Sequence, residues 1–97
     1  MPHYVMLLRY TPQGIANIKQ SPSRLDAARK AAEAGGGKIH SWHLTMGQYD
    51  AVLITEFHDD DACAKFALSV GAQGNVSTET LRAFTEPEFR KVVNSLP

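Results

Sequence analysis

The spacing of hydrophobic positions predicts a chain in which strands and helices alternate. Residues 4–10 are almost continuously apolar and rich in strand-forming side chains, which predicts a first β-strand. Thr11-Pro12 is a typical helix start and predicts a short helix over residues 12–19. Ser21-Pro22 repeats that signal, and apolar residues at spacings of three and four indicate a longer helix that ends before the glycines at 35–37.

A β-hairpin is predicted in the middle of the chain. Two strand-like segments, residues 38–46 and 49–57, are separated only by Gly47-Gln48, and a two-residue loop that begins with glycine is typical of a tight hairpin turn. The loop sets the register of the two strands. The opposed pairs are then Trp42 with Leu53 and Leu44 with Ala51 on one face, and His43 with Val52 and Thr45 with Asp50 on the other.

The second half of the chain completes a recognisable order of elements. The acidic residues 59–61 cap a helix that ends at Gly71, residues 75–84 form a fourth strand, and residues 85–88 form a capping box that opens a last helix. This is the βαββαβ order of a ferredoxin-like α+β fold, in which an antiparallel four-stranded sheet carries both long helices on one face. We therefore predict a single domain over residues 1–97, with an additional C-terminal helix.

One face of the predicted sheet has no helix to cover it. That face combines apolar residues such as Val52 and Ile54 with polar ones, and monomers rarely expose an apolar area of this size. We therefore predict a homo-oligomer, a two-fold dimer whose sheets face each other and whose last helices tie the subunits together.

Composition and charge exclude several classes of partner. Ten Lys and Arg residues balance ten Asp and Glu residues, so no net charge attracts the chain to nucleic acid, and no apolar run approaches the length of a membrane span. Met1-Pro2-His3 shows no secretory signal, so the expected location is the cytoplasm. Cys63 is the only cysteine and lies on a predicted apolar helix stripe, which indicates an inert thiol.

Candidate acid–base chemistry lies on the uncovered face. His43 and Asp50 are predicted diagonal neighbours there, and a carboxylate beside an imidazole makes His43 a candidate general base. Tyr49 is the third candidate catalytic residue, and Ser41 and Thr45 add polar groups to the same wall. The alternative is structural: Gly47 supplies a turn with positive φ, and Asp50 accepts backbone N–H bonds.

Arginine and histidine side chains are further candidates for binding a ligand or a metal ion. Arg9 and Arg82 lie on strands predicted to be adjacent, so each is a candidate to pair with Asp50 or Glu79, or to bind a ligand carboxylate. Cations on the first long helix are interpreted as a solvated face; these are Arg24, Arg29 and Lys30. No cofactor and no metal site is predicted, but metal binding by three imidazoles at one sheet end is an alternative, as is haem ligation by His43 or His58. The three imidazoles are those of His3, His40 and His58.

Several segments resemble the GYD-domain family. The family takes its name from a Gly, Tyr and Asp motif, matched here by Gly47, Tyr49 and Asp50 within residues 44–50. Similar segments extend over nearly the whole chain: Tyr10-Thr11, Gly14-Ile15, residues 65–67, Asn75-Val76 and residues 78–84. The resemblance implies a small dimeric α+β barrel domain without an assigned activity, related in fold to small monooxygenases, isomerases and haem-handling proteins. A shared fold does not transfer chemistry.

Two functions from different classes follow as hypotheses. The first is a small-molecule-binding homo-oligomer, with a pocket between the sheet and its covering elements that takes a small apolar or aromatic compound. It extends to cofactor-independent acid–base, oxygenase-like or isomerase-like chemistry. The second is a non-enzymatic oligomerisation or regulatory module, in which the polar positions only set the subunit register.

Overall fold

The structure, a computed structural model, describes residues 1–97. Strands and helices alternate along the whole chain, as the hydrophobic spacing predicts. The elements are β1 (His3–Tyr10), α1 (Pro12–Ala16), a 3₁₀ turn (Ile18–Gln20), α2 (Ser21–Ala34), β2 (Lys38–Leu44), β3 (Ala51–Glu56), α3 (Asp60–Ala72), β4 (Val76–Ala83) and α4 (Glu86–Asn94).

Local side-chain caps explain where three of the helices begin. Thr11 Oγ1 accepts a hydrogen bond from the Gly14 amide at the start of α1, and Asp59 Oδ1 accepts one from the Ala62 amide at the start of α3. Thr85 forms the predicted capping box at α4. The first helix is shorter than predicted, because Asn17 leaves the helical conformation (φ −110°, ψ 31°) and a 3₁₀ turn follows.

The four strands form one antiparallel sheet in the order β2-β3-β1-β4. This confirms the predicted ferredoxin-like α+β fold. In the hairpin, Trp42 lies opposite Leu53 and His43 opposite Val52, as predicted. The regular pairing ends at Leu44 and Ala51, so the connection is longer than two residues.

A β-bulge between Ile39 and Ser41 was not predicted. It shifts the register by one residue, so that Ile39 lies opposite Thr55 while Ser41 lies opposite Ile54. A ladder continued from the Trp42 pair would instead place His40 opposite Thr55, which is completely buried. The bulge therefore removes His40 from the core side of the sheet.

The hydrophobic core lies between the sheet and α2 and α3. Its buried members include Met6, Leu53, Phe57 and Phe66, with Trp42 half-buried at the margin. Burial raises the pKa of the Cys63 thiol, also in this core, to about 11, so the thiol is protonated at neutral pH.

The opposite face of the sheet is open in the single chain. Apolar side chains on this face are only half-buried, as at Leu7 and Ile54, and Leu81 is exposed. We call it the open face. Helix α4 has no extensive packing against any other element. None of the helices combines the length and the apolar character needed to cross a membrane.

Candidate functional site

The Gly-Tyr-Asp segment forms a loop that is tied to itself by short-range hydrogen bonds. Gly47 has a φ of +129°, a conformation that favours glycine. The Thr45 hydroxyl donates to the Tyr49 carbonyl oxygen at 2.6 Å, and the Thr45 amide donates to the Asp50 carbonyl oxygen at 2.9 Å. Thr45 thus closes the hairpin beyond the last regular strand pair.

The same loop is also attached to β1 and β4. Arg9 Nε donates to the Gln48 carbonyl oxygen at 2.8 Å, and the Arg9 guanidinium lies 4.4 Å from the centre of the Tyr49 ring. The Tyr49 hydroxyl donates to the Glu79 carboxylate, and this hydrogen bond raises the pKa of Tyr49 above its usual value.

Asp50 and His43 are not brought together by a hydrogen bond. Asp50 Oδ2 accepts from the Tyr10 amide at 2.9 Å, which extends the connection between the loop and β1. His43 is exposed and makes no hydrogen bond with a side chain. The Asp50 carboxylate thus accepts a backbone hydrogen bond, as its structural interpretation predicts. The catalytic roles of His43, Asp50 and Tyr49 stay predictions.

The two predicted arginines are separated. Arg9 and Arg82 lie on neighbouring strands, but Arg9 pairs with Ser77 while Arg82 lies opposite Tyr4, toward the other end of β1. The Arg82 guanidinium donates to the Ala83 carbonyl oxygen and lies 4.7 Å from the centre of the Phe84 ring. Neither arginine forms an ion pair with a carboxylate.

A cleft lies on the other side of the sheet, between its helix-covered face and helices α2 and α3. Its volume is about 80 Å³ and its lining is mainly apolar. The apolar lining includes Met6, Leu8, Leu25, Trp42, Phe66 and Val70. Polar groups at the cleft include Tyr10, Ser21 and Arg24, and the Tyr10 and Ser21 hydroxyls are hydrogen-bonded to each other at 2.8 Å.

Arg24 is the least satisfied of these polar groups. Its Nη1 donates to the Asn17 carbonyl oxygen at 3.0 Å, whereas its Nη2 is buried without a hydrogen-bond partner. No carboxylate forms an ion pair with it. The guanidinium therefore keeps a donor that an added acceptor can satisfy.

Arg24 was interpreted from the sequence as a solvated cation, and that interpretation is wrong because the side chain is half-buried beside the cleft. Its spacing offered a signal. Ser21, Arg24 and Ala28 follow one another at intervals of three and four residues, so they share the helix face that meets the sheet.

The cluster of three imidazoles, considered as an alternative metal site, is only partly formed. The rings of His3 and His40 stack at a centroid distance of 5.5 Å, but the third member of the group is Glu56. His58 lies beyond the end of β3 and is exposed, whereas Glu56 is paired with His3 across the sheet. Because β3 ends at Glu56, His58 lies outside the strand and is not part of the group.

The fold places the protein in the class of ferredoxin-like α+β domains, here with one helix-covered and one open sheet face. The model of the GYD domain family matches residues 4–93, and the chain belongs to that family. Comparison with curated proteins and with solved structures gave no match.

Proposed function

We propose that the protein binds a small carboxylic acid with an apolar body in the cleft between the sheet and helices α2 and α3. The observation that carries the proposal is the buried, unpartnered Nη2 of Arg24 beside a mainly apolar cleft. An unsatisfied buried donor costs on the order of 1–3 kcal/mol. A carboxylate satisfies a guanidinium with charge-assisted hydrogen bonds, while the ligand's apolar part displaces water from the apolar lining.

The volume of the cleft limits the size of the ligand. At about 80 Å³, it is well below the volume of pockets that enclose drug-sized molecules, which starts at about 300 Å³. A cavity of about 150 Å³ accommodates benzene. The cleft therefore suits a short alkyl chain or the edge of one ring, with the carboxylate at Arg24.

This proposal concerns binding and does not include a reaction. The predicted acid–base residues His43, Asp50 and Tyr49 lie in β2 and the hairpin loop and do not line the cleft. Chemistry by these residues would require a second site on the open face, and it stays a prediction.

Ligand-observed NMR with a panel of small aliphatic and aromatic acids, each paired with its neutral amide, tests the proposal. We expect acids to bind and the amides to bind about tenfold more weakly, since charge-assisted bonds are roughly twice as strong as neutral ones. Arg24→Met removes the anchor, and Ala28→Leu fills the cleft from α2. Both variants should lose binding, whereas Lys30→Met, which removes an exposed cation from the same helix, should retain it.

Equal binding of acids and amides would contradict the role of Arg24. Acid binding that survives both Arg24→Met and Ala28→Leu would place the ligand outside the cleft. If no acid in the panel binds the folded wild type, the proposal is wrong for ligands of this size.

A second proposal concerns assembly, and the exposed apolar side of α4 supports it. We infer that two copies associate through the open face and α4. Phe89, Val92, Val93 and Leu96 are between 44% and 65% exposed. A nine-residue helix is marginal in water without a surface to pack against, so α4 needs a partner that the single chain does not supply. A homodimer without chemistry would by itself fulfil the alternative hypothesis of an oligomerisation module.

A further inference from the structure

A separate group of metal-ligating side chains lies on the open face of the sheet, away from the cleft. His3 of β1, His40 of β2 and Glu56 of β3 each offer one ligand atom, and these three atoms lie within 4.8 Å of one another. Glu56 Oε1 is 2.7 Å from His40 Nε2 and 3.7 Å from His3 Nε2. One carboxylate oxygen is therefore shared by two imidazoles.

The backbone explains this convergence. His3 and Glu56 are directly opposed in the pairing of β1 with β3, so their side chains share a face. His40 joins them because the β-bulge between Ile39 and Ser41 takes it out of the position opposite buried Thr55. Bulges re-aim single side chains and are common beside functional sites.

The separations of the ligand atoms are close to those required by one metal ion. Nitrogen and oxygen ligands lie about 2.0–2.2 Å from Zn²⁺, so two ligands on the same ion are about 3.0–3.5 Å apart. The observed separations of 2.7 Å and 3.7 Å fall on either side of this range. All three ligand atoms lie within 4.8 Å of one another, so binding of one ion requires side-chain rotations that shorten the longest separation.

We propose that His3, His40 and Glu56 bind a divalent transition-metal ion of the zinc and iron(II) class. Two imidazoles and one carboxylate favour such an ion over Ca²⁺ or Mg²⁺, which prefer all-oxygen sites. Three protein ligands leave coordination positions for water or a small molecule. The side chains are 25–34% exposed in the single chain, so an ion can reach them from solvent as long as no second copy covers the open face.

The competing explanation is a hydrogen-bonded His–Glu group that holds three strand ends together. It also accounts for the short His40–Glu56 distance, but it predicts no tight, stoichiometric ion binding. The two explanations therefore differ in a measurable way.

Calorimetric titration of the full chain with Zn²⁺ is the test, and Co²⁺ absorption spectra report the ligand geometry. The protein must carry no polyhistidine tag, because a tag would bind the same ions. We expect one ion per chain, and a loss of affinity of at least about tenfold in both His40→Ala and Glu56→Gln, because even the loss of a group that only orients a metal ligand costs about 10–100-fold. The matched controls are His43→Ala and His58→Ala, which remove exposed imidazoles outside the group and should change the affinity less than about twofold.

Three results would overturn the proposal: no stoichiometric binding by the wild type, unchanged affinity in His40→Ala and Glu56→Gln, or an equal loss in the two controls. Circular dichroism of each variant verifies that it is folded. Glu56→Gln keeps the size and a hydrogen-bonding oxygen of the side chain, so it still tests the ligand role if His40→Ala disturbs the bulge. The outcome is independent of acid binding in the cleft, which lies on the other side of the sheet.

Discussion

Gly14 shows how one residue without a side chain holds two distant segments together. It is buried in α1, and a Cβ atom at this position would lie 2.0 Å from the Asn75 carbonyl oxygen. The approach is fixed by two hydrogen bonds from Thr11, one from its amide to Asn75 at 3.0 Å and one from its hydroxyl to Gly74 at 2.6 Å. Any larger residue at position 14 must separate α1 from the segment before β4.

We therefore expect Gly14→Ala to lower the free energy of unfolding by about 1–3 kcal/mol, the usual cost of overpacking. Urea denaturation followed by circular dichroism measures it. The matched control is Gly71→Ala in α3, where a Cβ atom meets nothing within 4 Å and alanine is the better helix former. This control should be stabilised by about 0.5–1 kcal/mol. A Gly14→Ala protein as stable as the wild type would contradict the close approach.

Tyr4 makes stability depend on alkaline pH. Burial, together with its hydrogen bond to the Asp60 carboxylate, raises the pKa of Tyr4 to about 12, from about 10 in the unfolded chain. A group whose pKa is raised by folding stabilises the protein fully below the unfolded pKa, and this contribution is lost as pH rises through the folded pKa. The stability of the wild type should therefore fall between about pH 10 and pH 12.

Tyr4→Phe should remove part of that dependence, because the ring is kept and the titrating hydroxyl is lost. At neutral pH the variant should be less stable by about 1 kcal/mol, the net value of one hydrogen bond. Urea midpoints at several pH values up to 12 compare the two proteins. Tyr49, whose pKa is also raised, contributes to the slope that remains. Identical slopes in both proteins would show that the Tyr4 hydroxyl does not titrate with folding.

At the scale of elements, most of the fold could be predicted because the signals are local. Thr11, Asp59 and Thr85 are caps that act within one helical turn, and they mark helix starts in the sequence as well as in the structure. The pairing of Trp42 with Leu53 could be predicted because the short loop at Gly47 sets the register of the hairpin. The order of the strands and helices along the chain was then enough to predict the ferredoxin-like fold.

The bulge and the burial of Arg24 beside the cleft were not predicted, because each depends on tertiary contacts. Nothing in residues 38–44 distinguishes a bulged strand from a regular one, so the place of His40 depends on which neighbours the sheet buries. Helical spacing puts Arg24 on the face of α2 that meets the sheet, but how deeply it is buried depends on the packing of α2 and α3 on the sheet. The group of His3 with Glu56 was not predicted, because the alternative metal cluster contained imidazoles and no carboxylate.

Helix α4 illustrates an element that depends on its cap. Hydrogen bonds from the Thr85 backbone and side chain lower the pKa of Glu88 below its usual value. A carboxylate whose pKa is lowered by folding stabilises the folded form above its unfolded pKa, and the contribution is lost as pH falls through the lowered value. The start of α4 should therefore fray in acid, at and below about pH 4.5.

Amide hydrogen exchange of residues 86–94 measures this fraying. Thr85→Ala should weaken the helix by about 1 kcal/mol at neutral pH. Glu88→Gln should make the amide exchange of α4 less dependent on pH in acid. Because α4 has no extensive packing on the rest of the chain, we expect faster exchange in α4 with little change at the β1–β3 pairing. Equal acceleration throughout the sheet would show that α4 unfolds only with the whole domain.

At the scale of the whole molecule, the single chain leaves two apolar surfaces without a partner. The open face carries exposed Leu81 opposite Val5 in its centre, and α4 carries exposed Phe89. The chain measures 52 × 31 × 18 Å, an elongated shape for 97 residues. A two-fold dimer would cover both surfaces at once, because the two subunits contribute the same surface to a two-fold interface.

The dimer proposal predicts a specific pattern in sedimentation equilibrium over a range of concentrations. The wild type should have twice the mass of the chain, whereas Leu81→Lys and Phe89→Glu should shift the equilibrium toward monomer, since each places a charge in the interface. Leu68→Glu is the matched control: Leu68 is 74% exposed on α3, the helix that covers the other side of the sheet, and its replacement should leave the dimer intact. A dimer weakened by Leu68→Glu alone would place the interface on the helices. A monomeric wild type would contradict the dimer proposal, and the open face and α4 would then need a different partner.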